Sequence, residues 1–123
     1  MALRILIVDD NASFVLAART HLEREGLHVV GTASTTAEAL QRAQELRPDV
    51  MLVDISLGDE SGFELIRRLA LTGADDEPAA IVVSTHAETD FADLIAESKA
   101  IGFVAKPELS ADAIRRLLDA RAA

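Results

Sequence analysis

The sequence predicts an α/β fold, a doubly wound sheet of five parallel strands covered by helices on both faces. Three observations point to it. Short runs that are apolar at almost every position recur five times, which suits strands with no solvated face. Segments with helical period separate them, and the strand-like runs start about 20 to 30 residues apart, room for one crossover helix each.

Taken in order, Ile5 to Val8 form the first strand, and Phe14, Ala17, Ala18, His21 and Leu22 form the apolar stripe of a helix ending near Gly26. That stripe places His21 in a packed or partly buried position, with His28 nearer the surface. Val29 to Ala33 form the second strand. Ala37, Leu40 and Ala43 mark the second helix, introduced by Thr35 and Glu38 at capping-box spacing. Val50 to Val53 form the third strand, followed by a helix marked by Leu65, Ile66 and Leu69. Ala80 to Val83 form the fourth, with a helix carrying Phe91, Leu94 and Ile95. Phe103 to Ala105 form the fifth, and a last helix, starting near Ser110 and running almost to Ala123, buries Ile114, Leu117 and Leu118 and turns Arg115 and Arg116 to solvent. The 123 residues suit one domain over 1–123, with no linker or repeat and no second domain.

Composition excludes several functions. Half the residues are hydrophobic and 3% aromatic, so aliphatic side chains must build the core. A net charge of −9 with no basic stripe argues against direct nucleic-acid binding. There is no cysteine, hence no disulfide framework or thiolate metal site. No apolar run approaches the ~20 residues that span a bilayer, and Met1 leads straight into a strand without a signal-peptide pattern. A soluble, cytoplasmic protein is expected.

In such a sheet the strand C-termini share one edge, where ligands bind at the reversal of strand order. The first strand ends in Asp9 and Asp10, the third in Asp54, the fourth in Ser84 and the fifth in Lys106 and Pro107. Asp10 or Asn11 would also serve as a helix N-cap; Asp9 beside them and Asp54 across the sheet favour a shared acidic site. Three adjacent carboxylates repel one another by about 3 kcal/mol per pair at ~5 Å and an effective dielectric of ~20. A hard divalent cation and the Lys106 ammonium would offset that, and both bind phosphate oxygens. Asp54 is then placed to act as a carboxylate nucleophile, with the Ser84 hydroxyl as a donor to the transferred group.

The pattern resembles the receiver domain of two-component response regulators. The resemblance runs from "RILIVDD" through "DVMLVDISLGDESGFELI" and "AAIVVST" to "GFVAKP", essentially the whole chain. It implies a flavodoxin-like (βα)5 fold with strand order 2-1-3-4-5. It further implies Asp54 as phosphoacceptor and Mg²⁺ or Mn²⁺ held by Asp9, Asp10, Asp54 and the backbone carbonyl of Ser56. Ser84 matches the switch hydroxyl, Lys106 the phosphate-contacting lysine, Phe103 the switch aromatic, and Pro107 a proline preceded by a cis bond. The implied partners are a histidine kinase or histidine phosphotransfer protein as donor, with small acyl phosphates as substitutes, and a downstream protein target. The target would meet the face of helix 4, strand 5 and helix 5, with phosphorylation-dependent homodimerisation a further option. Such a domain is not a turnover enzyme.

Several positions depart from the family pattern. Gly58 stands where receivers usually have Pro, freeing the acidic "GDES" loop to move, while Gly62 matches. Thr85 follows the switch hydroxyl where a small residue is usual; its branched side chain predicts slower phosphorylation or narrower donor choice. Ser56 and His86 sit at positions that tune autodephosphorylation. Lys99 replaces a frequent Gly, and Ile101 adds an apolar spot near the output face. Thr85 and Gly58 leave one alternative open, a receiver-fold module that binds proteins without using phosphate. A haloacid-dehalogenase-like phosphatase would need a second Asp two residues after the nucleophile, where Ser56 stands. A flavodoxin-like cofactor site would need Ser, Thr and Gly amides where Asp9 and Asp10 would repel phosphate.

Overall fold

Strands that are apolar on both faces need helices on both sides, and the arrangement found satisfies that need. The structure is a computed structural model that describes residues 3–71, 78–85 and 91–122. Its main strands are β1 (Arg4–Val8), β2 (His28–Ala33), β3 (Val50–Asp54), β6 (Ala79–Ser84) and β7 (Gly102–Ala105). They pair in parallel in the order β2-β1-β3-β6-β7. This is the expected 2-1-3-4-5 once two short extra strands, β4 (Ser56–Leu57) and β5 (Glu60–Ser61), are set aside.

Successive side chains on a strand point to opposite faces, so each strand feeds two cores. Ile5, Ile7, Leu52, Ile81 and Val83 pack with Ala18 and Leu22 of α1 (Ala12–Arg24) and Ile114 of α5 (Ala111–Ala122). Leu6, Val8, Met51, Val53 and Val82 pack with Ala39 and Ala43 of α2 (Thr36–Leu46) and with Leu65, Ile66 and Leu69 of α3 (Gly62–Leu71). Every residue of β3 and β6 is buried. The central strands therefore hold their last residues, Asp54 and Ser84, rigidly at the sheet edge.

The helices bury narrower stripes than the sequence suggests. On α1 the inner row is Phe14, Ala18 and Leu22, spaced by four, while Ala17 and His21 fall on its outer flank and are exposed. His21 instead pairs across 3.2 Å with Glu25, whose Oε1 accepts the Ala111 N–H of α5 at 2.9 Å. On α2, Ala39 and Ala43 face inward and Ala37 outward. Thr35 caps α2 as expected, accepting the Glu38 N–H at 3.1 Å, but the Glu38 carboxylate returns to the N–H and hydroxyl of Ser34. Helix α4 (Ala92–Glu97) is six residues long and buries none of them; Phe91 packs on the core just before it, and Leu94 is 50% exposed.

At the sheet edge one expectation gains detail and one is corrected. The "GDES" loop is a hydrogen-bonded hairpin, β4–β5, turning at Gly58 and Asp59. Gly58 has φ +61°, which the proline ring excludes, and Asp59 keeps a negative φ, as a II′-type hairpin turn requires. Glu60 ties this hairpin to α2 by accepting the Thr36 N–H at 2.9 Å. The correction concerns Pro107: no peptide bond among the described residues is cis, so Lys106–Pro107 is trans. Pro107 is the second residue of a short 3-10 helix, Lys106–Glu108, where its fixed φ fits and its missing N–H leaves no bond unmade. Among the described residues, no helix is long and apolar enough to cross a membrane.

Candidate functional site

Asp9 leaves β1 with its N–H bound to the Ala33 carbonyl at 2.9 Å, so the sheet still holds its backbone. Its side chain is buried, and Oδ1 accepts the Asn11 N–H at 2.8 Å. Asn11 is the N-cap of α1, with Oδ1 accepting the Phe14 N–H at 3.1 Å. That settles the choice the sequence left open: Asn11 caps the helix, and Asp10 stands exposed beside Asp9 with no capping role. Across the sheet, Asp54 ends β3, its Oδ1 accepting the Ser56 N–H at 3.3 Å.

Lys106 joins the two strands' acids. Its Nζ lies 2.7 Å from Asp9 Oδ2 and 3.3 Å from Asp54 Oδ2, with side chains almost wholly removed from water. The shorter contact is ionic and misaligned for a hydrogen bond, so the buried Asp9 Oδ2 keeps an unmet acceptor capacity. One carboxylate oxygen each from Asp9, Asp10 and Asp54 lies within 4.8 Å of the others. Hard oxygen donors this close, on side chains that include a buried Asp9 oxygen with unmet acceptor capacity, fit a divalent cation of the Mg²⁺ class. The Lys106 ammonium also sits 4.4 Å from the centroid of the Phe14 ring.

The electrostatics follow from this crowding. Burial, and then the charge of Asp9, push the Asp54 carboxyl above its usual range; Lys106 and the Ser56 N–H oppose them without prevailing. Burial works against the Lys106 ammonium, but its contact with Asp9 and the charges of Asp54 and Asp9 outweigh that and hold its proton more tightly than usual. A carboxyl whose folded pKa is raised binds more protons folded than unfolded, so ionising Asp54 costs stability as pH climbs from 3.8 through the folded value. Asp54→Asn removes that cost. In EDTA at pH 7 its melting temperature is expected to exceed the parent's, with the difference gone below pH 3.8. Equal melting at pH 7 would contradict the raised carboxyl.

Ser84 is buried at the end of β6 beside Ala105 of β7, in the strand that leads to Lys106. Asp54, Ser84 and Lys106 thus occupy three neighbouring strand ends. Thr85 follows Ser84 and is exposed; His86 lies outside the described residues. Phe103 is half-buried and lines a groove of about 410 Å³ with Glu108, Arg116 and Leu117. One residue that shapes the site escaped the sequence reading of function, Phe14, taken only as a core position; Gly62, which matches the family pattern, packs directly on the Asp54 backbone. An aromatic one helical turn after an acidic pair is the sequence signal that could have drawn attention to Phe14.

A profile of the response regulator receiver domain matches residues 5–119. The chain belongs to this family. As a receiver domain it acts in phosphorelay signalling, and neither the phosphatase nor the cofactor-binding reading is favoured by any similarity found. Response regulator GacA of Pseudomonas viridiflava is 33% identical over 109 residues, covering 85% of this chain and 48% of that protein. A protein-glutamate methylesterase/protein-glutamine glutaminase of Koribacter versatilis is 34% identical over 111 residues, covering 86% of this chain and 29% of that protein. The receiver thus spans about half or less of the length of the curated relatives it matches. Among solved structures, the signal receiver domain of a modulated diguanylate cyclase from Desulfovibrio desulfuricans is 30% identical with a TM-score of 0.79, covering 97% of this chain and 92% of that one.

Proposed function

We propose that this receiver accepts a phosphoryl group on Asp54 from a histidine kinase or histidine phosphotransfer protein, with a divalent metal ion bound. The observation that carries the reading is the convergence of Asp9, Asp10 and Asp54 oxygens within 4.8 Å, with Lys106 Nζ 3.3 Å from Asp54. A carboxylate oxygen of Asp54 attacks phosphorus in line, the bond from phosphorus to the donor's imidazole nitrogen breaks, and the ring departs with the bonding pair. Lys106 neutralises charge on the transferring oxygens, and the Ser84 hydroxyl donates to one of them. Asp9, Asp10, Asp54 and the Ser56 carbonyl would hold Mg²⁺ or Mn²⁺, which supplies further charge compensation there. Asp54 is consumed in each cycle until the acyl phosphate hydrolyses, so the domain is a switch and not a turnover enzyme.

Engagement of Ser84 by the phosphoryl group draws the end of β6 inward, and Phe103 on the adjacent β7 turns with it. The face of α4, β7 and α5 changes, and a downstream protein, or a second copy of the chain, reads that change. The cytoplasm, where the donors' kinase modules reside, is the expected compartment, and the described residues form a single receiver domain.

Intact mass after incubation with acetyl phosphate and Mg²⁺ tests the assignment. The parent is expected to gain one phosphoryl group, and Asp54→Asn and EDTA-treated parent to gain none. An unmodified parent would count against Asp54 as acceptor from this donor, and a gain that persists in Asp54→Asn would relocate the site. The same assay on Thr85→Ala reports whether the exposed branched side chain slows transfer: the variant is expected to react faster.

A further inference from the structure

Phe14 lies in the first turn of α1, half-buried against the core shared by α1 and α5. Its ring centroid is 4.4 Å from Lys106 Nζ, well inside the ~6 Å over which an aromatic face attracts a cation. The Lys106 side chain is only 11% exposed, so water screens this contact little. The ring is placed by the same residues that build the acid site. Asp9 Oδ1 takes the Asn11 N–H, and Asn11 Oδ1 takes the Phe14 N–H, so the acid that grips the ammonium also sets the turn that carries the ring.

A lysine ammonium has three donors. Two carboxylates approach it here, Asp9 at 2.7 Å and Asp54 at 3.3 Å, and the ring closes a third side. A third carboxylate or carbonyl there would bind a proton along a fixed line and compete with an incoming phosphoryl oxygen. A ring face attracts the whole ammonium without claiming a single N–H. An aliphatic side chain of similar size would fill the space but offer no negative face.

We propose that Phe14 is a positioning residue for Lys106, its ring face holding the ammonium against Asp9 and Asp54 with a donor free for the arriving phosphoryl oxygen. The inference rests on Asp54 as acceptor, and Phe14 acts through Lys106 without touching the reacting atoms.

The test replaces Phe14 by pentafluorophenylalanine, which keeps the ring's shape and reverses the charge of its face, alongside Phe14→Leu and Phe14→Tyr. With acetyl phosphate and saturating Mg²⁺, the fluorinated and Leu proteins are expected to be phosphorylated roughly three- to tenfold more slowly, and Phe14→Tyr within about twofold of the parent. A fluorinated protein reacting at the parent rate would overturn the proposal. A parent that takes no phosphoryl group would instead remove the acceptor reading, and a metal-free measurement then decides on Phe14. In EDTA, the loss of stability caused by the fluorinated ring is expected to vanish in a Lys106→Met background; equal loss in both backgrounds would mean that the ring serves packing alone.

Discussion

Lys106→Met is expected to destabilise the metal-free protein by about 3 kcal/mol and to slow phosphorylation of Asp54 by roughly a hundredfold. The first effect comes from what the lysine leaves behind. Asp9 is 3% exposed, and its Oδ2 relies on the ammonium at 2.7 Å for compensation. Methionine fills the volume and strands a buried charge, the situation in which breaking an ion pair is costly. Mg²⁺ is expected to restore much of the loss, since the stranded oxygens are those that would bind it, whereas the rate should not recover. Urea unfolding in EDTA and in Mg²⁺ separates the two. The sign of the pH dependence also follows. The folded Lys106 pKa is raised above 10.5, so its contribution is fully present below pH 10.5 and is lost as pH rises through the folded value. Parent and variant should therefore converge in strongly alkaline solution. A metal-free variant as stable as the parent at pH 7 would show that the Asp9 contact carries no energy.

What was legible in the sequence follows physical cause. Strands apolar on both faces announce a covered parallel sheet, and β1, β3 and β6 fall where their runs lie because nothing competes with that burial. The acids and lysine were legible for the same reason: the C-terminal edge is the one place where a charged residue can follow an apolar strand and still meet its counterparts. Helix faces were less so. Ala37 and His21 satisfy a helical period as well as Ala39 and Leu22 do, and only contact with the sheet decides between neighbouring rows. The hairpin at Gly58 was hidden because two-residue strands have no period to read. Pro107 was assigned its bond by resemblance, while the local turn Lys106–Glu108 takes the trans form that X–Pro bonds favour by about 0.5–1 kcal/mol. The Phe14 contact was invisible because it joins residues far apart in sequence, on different elements.

Gly62→Ala is expected to cost about 2 kcal/mol of stability and to slow phosphorylation of Asp54 by tenfold or more, roughly. Gly62 begins α3, and its N–H donates to the Ile55 carbonyl at 2.8 Å, clamping the helix start onto the end of β3. A Cβ there would lie 2.1 Å from the Asp54 carbonyl oxygen, 3.0 Å from its carbon and 2.9 Å from Val53 Cγ1. Two of these neighbours are backbone and cannot rotate away, so either α3 lifts off the sheet or the Asp54 peptide turns. Alanine's better helix propensity returns at most about 1 kcal/mol of the clash. Either displacement moves the carboxylate relative to Asp9 and Lys106, and a shift of ~1 Å is enough to lower a rate that depends on alignment. Gly26→Ala supplies the contrast. Its φ of +94° makes alanine strained, costing about 1 kcal/mol or more, but nothing lies within 4 Å of the added carbon, and it stands at the far end of α1 from Asp10. That variant should lose stability and keep the parent's phosphorylation rate. If Gly62→Ala loses stability alone in the same way, the contact of α3 with Asp54 supports the fold without aligning the acceptor, and the two glycines are equivalent.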